Sequence, residues 1–135
     1  MIHFDTSFLV DLEKELVRET PGPAFEFLES LADSELLVTS VHVIAELRVG
    51  AELTRHPVRT HEALDQLLAG FLTAYPDQRF APMYARLWTA ANRGKRAIPS
   101  MGLLIATAAI LDDAQIVTRN VKDFSRIPGL RVLGY

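Results

Sequence analysis

The regular alternation of short apolar runs with segments of helical periodicity is the feature that most constrains the fold. Strand-like runs occur at residues 1–5, 36–39, 115–118 and 130–133, and residues 79–80 could add another short strand. Helical patterns fill the intervals, at residues 8–17, 24–32, 41–53, 63–72, 82–92 and 102–111. Strands that alternate with helices build a parallel sheet covered on both faces. We therefore expect an α/β three-layer sandwich with a central, mostly parallel sheet of four to five strands and helices on both faces.

Length, cysteine content and charge narrow the class of protein further. The chain has 135 residues, which suits a single domain spanning residues 1–135. It contains no cysteine, so disulfides, thiolate metal sites and cysteine nucleophiles are excluded. The formal net charge of −3 provides no overall attraction for nucleic acid, so binding of that kind requires a local basic patch.

The hydropathy pattern predicts neither a membrane span nor a secretion signal. The longest apolar run, residues 102–111, is interrupted by Thr107 and is far shorter than the roughly 20 residues that cross a bilayer. The first residues include His3 and Asp5 and lack the basic and apolar regions of a signal peptide. We therefore expect a cytoplasmic protein that does not bind membranes.

Polar side chains follow two of the predicted strands at the points where these strands end. They are Asp5, Thr6 and Ser7 after the first strand, and Thr118, Arg119 and Asn120 after the strand at 115–118, with Asp123 one turn later. In an open parallel sheet, ligands bind beyond the carboxyl ends of the strands. Helix capping explains the same residue types about equally well, so this pattern alone leaves both interpretations open.

Glu46 is an acid within a nearly continuous apolar helix, since its neighbours include Val43, Ile44, Leu47 and Val49. A buried carboxylate without a partner costs several kcal/mol or undergoes a large pKa shift. Either an arginine such as Arg48 or Arg119 pairs with Glu46, or a cation neutralises it.

The acids together suggest a site for a hard divalent cation. Asp5, Glu46 and Asp123 supply oxygen ligands without histidine or cysteine, which is the ligand set that Mg²⁺ or Mn²⁺ prefers. Such a site suits attack of a metal-bound water on a phosphodiester. The histidines at positions 3, 42, 56 and 61 show no metal-ligand spacing, and we expect them to be surface or packing residues.

Five blocks of sequence resemble the PIN domain. They are IHFDTS at residues 2–7, SVHVIAEL at 40–47, LIATA at 104–108, VTRNVKDF at 117–124 and IPGLRV at 127–132. Their order and spacing, across essentially the whole chain, resemble most closely the VapC toxins of bacterial VapBC toxin–antitoxin pairs. The resemblance implies a PIN-like sandwich and an endoribonuclease that depends on Mg²⁺ or Mn²⁺ and hydrolyses RNA phosphodiester bonds by metal-activated water.

The resemblance also assigns roles to residues of this chain. It implies catalytic positions at Asp5, Glu46, Gly102, Asn120 and Asp123, with Asp5, Glu46, Gly102 and Asp123 at the metal. It implies supporting hydroxyl residues at Thr6, Ser7 and Thr118, and it suggests Arg119, Arg93, Lys95 and Arg96 as candidates for holding RNA phosphates. For the basic loop at 93–96, a solvated charge cluster is the simpler interpretation.

Gly102 departs from the family pattern. Relatives begin this helix with a sequence resembling DLLIA, whereas this chain has GLLIA at residues 102–106. Asp112 and Asp113 lie ten or eleven residues further along, roughly 15–17 Å at ~1.5 Å per residue, and cannot substitute. We therefore expect this chain to bind metal poorly and to cleave RNA weakly or not at all. An engineered change and a natural loss both explain the glycine.

The resemblance further implies a VapB-type antitoxin and a homodimer as partners, with operator DNA bound only through the antitoxin. An alternative function is a catalytically inactive module that binds the antitoxin and regulates its operon. In that case the apolar stripe at 63–72, or the helix containing Phe25, Phe27 and Leu28, could offer a groove for an antitoxin segment. A phosphoacceptor receiver and a dinucleotide-binding domain fit poorly, because the adjacent acids and the glycine-rich loop they require are missing.

Overall fold

The computed structural model describes residues 1–94 and 96–135 and shows five strands and seven helices within them. In chain order they are β1 (Ile2–Phe4), α1 (Thr6–Val17), α2 (Pro23–Glu29), β2 (Leu37–Ser40), α3 (Val41–Glu52), α4 (Pro57–Leu68), β3 (Leu72–Ala74), α5 (Phe80–Ala91), α6 (Ser100–Leu111), β4 (Gln115–Val117), α7 (Val121–Phe124) and β5 (Arg131–Leu133). None of the helices in this part of the chain is long and apolar enough to span a membrane.

The strands form one parallel sheet in the order β3-β2-β1-β4-β5, which confirms the expected α/β fold. The central strand β1 is paired on both sides, since Ile2 lies opposite Leu37 of β2 and Gln115 of β4. Phe4 and Val117 are opposite each other at the carboxyl ends of β1 and β4. The residues that follow these two strands, beginning at Asp5 and Thr118, are therefore neighbours at one edge of the sheet.

Two predictions about local structure are wrong. The apolar stripe at 63–72 predicts a helix throughout, but α4 ends at Leu68 and Leu72 begins β3, which pairs with Val38 of β2. The helical spacing of Phe71 and Leu72 is coincidental. The Phe71 N–H donates a hydrogen bond to the Leu68 carbonyl, which forms a turn after the helix, and Leu72 follows this turn.

The predicted strand at 79–80 is instead the beginning of α5. The Asp77 carboxylate accepts a hydrogen bond from the Arg79 backbone N–H at 2.8 Å, and the Asp77 carbonyl accepts one from Phe80 at 3.0 Å. These bonds satisfy the first amide groups of the helix, so the chain winds before Pro82 rather than extending.

An aromatic cluster anchors β1 and α1 in the core and so fixes the edge where the site forms. The rings of Phe4 and Phe8 lie 4.6 Å apart, and Tyr135 meets Phe8 edge-on at 4.8 Å. Phe8 is fully buried. Phe71 and Phe27 complete the cluster, so these two side chains pack against the core rather than lining a free groove.

His3 is a packing residue, as the sequence suggests. It is 1% exposed, and its Nε2 is 2.6 Å from Oδ2 of Asp112 at the end of α6. Burial lowers the pKa of His3, and the hydrogen bond and charge of Asp112 only partly oppose that shift. Asp112 is thus committed to His3, which agrees with the expectation that it cannot serve the site.

We expect His3 to make the protein less stable as the pH falls below about 6.5, the usual pKa of histidine in an unfolded chain. The unfolded chain then binds a proton that the buried imidazole does not, so the free energy of unfolding decreases by at most about 1.4 kcal/mol per pH unit. Urea unfolding at several pH values checks this, with His3→Gln as the control because glutamine can still donate to Asp112. An unchanged pH dependence in His3→Gln would contradict the prediction.

Candidate active site

A pocket of about 680 Å³ opens at the carboxyl edge of the sheet, between β1, β4 and the helices that follow them. Its polar lining consists of Asp5, Thr6, Ser7, Glu46, Arg119, Asn120 and Asp123; its apolar lining includes Val10, Ile98, Met101, Ile105, Phe124 and Ile127. Gly102 also lines it. The structure therefore brings together, from four separate segments, all five positions for which the sequence suggests a catalytic role.

Asp5 is held rigidly at the base of this pocket. It is the N-cap of α1, and its Oδ1 accepts hydrogen bonds from the Phe8 N–H at 3.1 Å and from Ser7 Oγ at 2.7 Å. Thr118 Oγ1 donates to the other oxygen at 2.7 Å. Burial raises the pKa of Asp5, although these hydrogen bonds favour the charged form. Asp5 therefore acts both as a helix cap and as an oriented carboxylate, which are the two roles that its sequence position leaves open.

Glu46 faces the same pocket from α3, which begins where Ser40 Oγ accepts a hydrogen bond from the Val43 N–H at 3.2 Å. The Glu46 side chain is half-buried, and its Oε1 accepts a hydrogen bond from Thr6 Oγ1 at 2.6 Å. Threonine hydroxyls thus support both Asp5 and Glu46, in the positions that the sequence suggests for supporting residues.

Of the two partners that the sequence leaves open for Glu46, an arginine or a cation, the structure does not support the suggested arginines. Arg48 instead contacts Asp65 through Nη2 at 2.5 Å, and Arg119 contacts Asp11 at 2.7 Å. Arg48 follows Glu46 by two residues on α3, so its side chain extends to a different face of the helix and reaches α4. Among the residues that the structure describes, the hydrogen-bond partner of the Glu46 carboxylate is the neutral hydroxyl of Thr6.

Asn120 and Asp123 form the outer wall of the pocket at the start of α7. The Asn120 backbone N–H donates to Thr118 Oγ1 at 3.0 Å, and the Asn120 side-chain amide donates to Oδ2 of Asp123 at 3.1 Å. Thr118 therefore links the backbone of this wall to Asp5. Asn120 is exposed and Asp123 half-buried, so this part of the pocket remains open to solvent.

Gly102 leaves a gap in the pocket wall. It is the third residue of α6. In the described part of the chain, and apart from its chain neighbours and the backbone of α6, the atom nearest to a Cβ at this position would be Ile98 Cγ2, at an ordinary 3.8 Å. Within residues 1–94 and 96–135, no three His, Asp or Glu side chains come close enough to hold a metal ion together. The oxygen chemistry of Asp5 and Glu46 suits a hard cation, but the set as it stands does not complete a site for one.

The basic candidates divide into three groups. Arg119 lines the pocket, whereas Arg93 and Arg96 are exposed and do not. Lys95 lies outside the residues that the structure describes. Asp11, which pairs with Arg119, and Tyr135, which donates a hydrogen bond to Asp11, were not predicted from the sequence. The position of Asp11, one helical turn after Ser7, was a usable signal, but nothing in the sequence points to Tyr135.

Comparison with known proteins places this geometry in a family. The PIN domain family model matches residues 2–130. The ribonuclease VapC2 of Rickettsia felis is 30% identical over 114 residues, which cover 84% of this chain and 85% of the relative. The ribonuclease VapC1 of Haemophilus influenzae strain R2866 is 28% identical over 116 residues, which cover 86% and 87%.

Solved structures agree with the sequence comparison. The VapBC2 complex of Rickettsia felis bound to a promoter DNA fragment contains a chain with a TM-score of 0.87 and 28% identity, covering 100% of this chain and 99% of that one. VapBC-1 of nontypeable Haemophilus influenzae gives a TM-score of 0.85 with 27% identity, covering 99% and 98%. The sequence match, the shared fold and the acidic pocket at the sheet edge agree, and the chain belongs to the PIN-domain family, among its VapC-type members.

Proposed function

We propose that this chain is the toxin component of a type II toxin–antitoxin pair, with the site of a Mg²⁺- or Mn²⁺-dependent endoribonuclease that is impaired at Gly102. One observation carries the proposal: Asp5 and Glu46 are supported by hydroxyl groups in a pocket into which position 102 also opens. Relatives named ribonuclease VapC support RNA as the substrate.

The residues present account for part of such a site. Asp5 and Glu46 are oriented oxygen ligands, Asn120 and Asp123 close the outer wall, and Thr6, Ser7 and Thr118 support the acids. Asp123 also lines the pocket, but among the described residues no three acids come close enough to hold a metal ion together, and position 102 supplies no carboxylate. The set therefore does not complete a divalent-cation site, and we assign no metal-dependent step to the chain in this form. An aspartate at 102 would complete the set from the first turn of α6, where the helix dipole favours negative charge.

The proposed partners come from the complexes that relatives form. Similar chains occur in structures of VapBC complexes, one of them bound to promoter DNA. We propose that this chain pairs with a VapB-type antitoxin in the cytoplasm, forms a homodimer, and contacts operator DNA only through the antitoxin.

A second candidate function is a catalytically inactive module that retains antitoxin binding and operon regulation. The gap at Gly102 favours it, because the fold is intact while the acid set is incomplete. The apolar stripes suggested as grooves do not add support, since Phe25, Leu67 and Phe71 pack against the core.

Inducible expression in bacteria tests the proposal. We expect Gly102→Asp to arrest growth and degrade cellular RNA, with relief by a co-expressed cognate VapB-type antitoxin, while the unmodified chain has little effect. Gly50→Asp is the matched control, because Gly50 is an exposed helix glycine with open space around it. If Gly102→Asp leaves growth and RNA intact while the unmodified chain still binds a cognate VapB-type antitoxin, the inactive module is the better description.

A further inference from the structure

Arg119 is connected to the acidic pocket through its backbone. It follows Thr118 at the end of β4, and its backbone N–H donates to Ser7 Oγ at 3.0 Å. Ser7 in turn donates to Oδ1 of Asp5. The Cα of Arg119 is therefore fixed relative to the carboxylate at the base of the pocket, and its side chain lines the same pocket.

The guanidinium of Arg119 is held by an acid on a different element. Its Nη1 lies 2.7 Å from both Oδ1 and Oδ2 of Asp11, on α1. The Arg119 side chain is 63% exposed and that of Asp11 is 19% exposed. The exposed guanidinium is therefore paired with a carboxylate that is largely enclosed by the protein. Without this partner, an exposed arginine side chain would sample many rotamers. Binding a phosphate would then cost the conformational entropy of fixing the side chain in one rotamer.

The half-buried Tyr135 fixes Asp11 in turn. Tyr135 Oη donates to Asp11 Oδ2 at 2.7 Å, and the Tyr135 ring packs edge-on against the buried Phe8. Burial, together with the hydrogen bond and charge of Asp11, raises the pKa of Tyr135, so its hydroxyl keeps the proton that it donates. A chain of contacts thus runs from the core through Tyr135 and Asp11 to the guanidinium.

We propose that Asp11 and Tyr135 are positioning residues that hold the Arg119 guanidinium at the mouth of the pocket, where it binds a phosphate of single-stranded RNA. This inference rests on the proposed function and adds two residues to it. A guanidinium has five N–H donors, and this network uses only Nη1. The remaining donors can engage a phosphate oxygen while Asp11 keeps its place.

The charge of the pocket explains why a fixed cation would matter there. Asp5, Glu46 and Asp123 all line it, and the protein carries a net charge of −3. The negative charges of these acids repel an approaching RNA phosphate. An arginine side chain that changes rotamers would offset this repulsion only while its guanidinium lies near the phosphate. A guanidinium held beside the acids provides a fixed point of attraction for the strand.

A double-mutant cycle between Tyr135 and Arg119 tests the proposal. Binding of a fluorescein-labelled, mixed-sequence single-stranded RNA oligonucleotide is measured by anisotropy in EDTA, so that cleavage does not contribute. We expect Arg119→Gln to weaken binding by roughly ten-fold and to reduce the slope of log affinity against log salt by about 0.7, the value for one phosphate contact. We expect Tyr135→Phe, which changes no charge, to weaken binding by roughly three-fold.

The cycle separates positioning from a purely structural role. If Tyr135 acts through Arg119, Tyr135→Phe has no effect on RNA binding in the Arg119→Gln background. Tyr84→Phe is the control, because its half-buried ring packs against the core and its hydroxyl takes no part in this network. Thermal unfolding of each variant shows whether a lost contact merely loosens the fold.

Three outcomes overturn the inference: no RNA binding by the parent chain, an equal effect of Tyr135→Phe in both backgrounds, or tighter binding by Tyr135→Phe. The last would mean that Asp11 mainly neutralises Arg119. If the cycle shows coupling between Tyr135 and Arg119 in RNA binding but Gly102→Asp does not cleave RNA, this inference is supported and the proposed function is contradicted. If Gly102→Asp cleaves RNA but Tyr135 and Arg119 show no coupling, the proposed function is supported and this inference is contradicted.

Discussion

Replacing Gly102 with aspartate is expected to raise Mn²⁺-dependent cleavage of single-stranded RNA by at least about a hundred-fold. A unit charge 4 Å from a cation is worth ~4 kcal/mol at an effective dielectric of 20. If desolvation removes about a third of that energy, the remainder still corresponds to roughly a hundred-fold in affinity or rate. The side chain fits, since among the described residues, apart from the chain neighbours and the backbone of α6 itself, the atom nearest to a Cβ at 102 would be Ile98 Cγ2, at 3.8 Å.

Gly102→Asn is the matched control, because it has nearly the shape of aspartate without its charge. Time courses of RNA cleavage with and without Mn²⁺ measure the effect, and the Mn²⁺-induced shift of the unfolding temperature reports metal binding independently of catalysis. Substantial and equal cleavage by the parent, Gly102→Asp and Gly102→Asn would show that a carboxylate at position 102 is dispensable. Loss of folding is not expected, since glycine in a helix interior is itself unfavourable.

The strand order could be anticipated only in part from the sequence. The short apolar runs that end in Asp5 and Thr118 mark β1 and β4 clearly, because helices separate them and polar residues end them. The strand β3 is not marked, because Leu72 continues the helical spacing of α4 and because its strand conformation depends on pairing with Val38, far away in the chain. Periodicity reports local preference, and such long-range pairing can override it.

The composition of the pocket was better predicted than its internal contacts. Asp5, Glu46 and Gly102 could be assigned to one place because the sequence blocks resemble a known family and parallel strands end at a common edge. The partners of the arginines could not be assigned in this way. Arg119 pairs with Asp11 across two elements, and that choice depends on side-chain reach, which no spacing within one helix specifies.

Replacing Asp5 with asparagine in the Gly102→Asp background is expected to abolish cleavage while raising stability. Asp5 is 5% exposed, and burial raises its pKa, so the folded protein holds its charge at a cost that the unfolded chain does not bear. Asparagine has no charge to bury, and its Oδ1 can still accept the hydrogen bonds of Ser7 Oγ and the Phe8 N–H. The hydrogen bond from Thr118 Oγ1 to Oδ2 reverses, because the asparagine NH2 group can donate to the Thr118 hydroxyl oxygen. Cleavage should fall by at least about a hundred-fold, because a ligand charge is removed.

The pH dependence shows whether the stability gain has this origin. The penalty on Asp5 is absent below its unfolded-state pKa and grows as the pH rises through the window up to its higher folded-state pKa. The free energy of unfolding by urea, measured in EDTA, should therefore be higher for the asparagine variant than for its Asp5 parent at neutral pH. This difference should disappear at acidic pH. Asp33→Asn, at an exposed position, should show no such difference. If Asp5→Asn instead destabilises the protein at neutral pH, the hydrogen bonds to the carboxylate stabilise the fold by more than burial of its charge costs. If the variant still cleaves RNA, Asp5 is not part of the catalytic set.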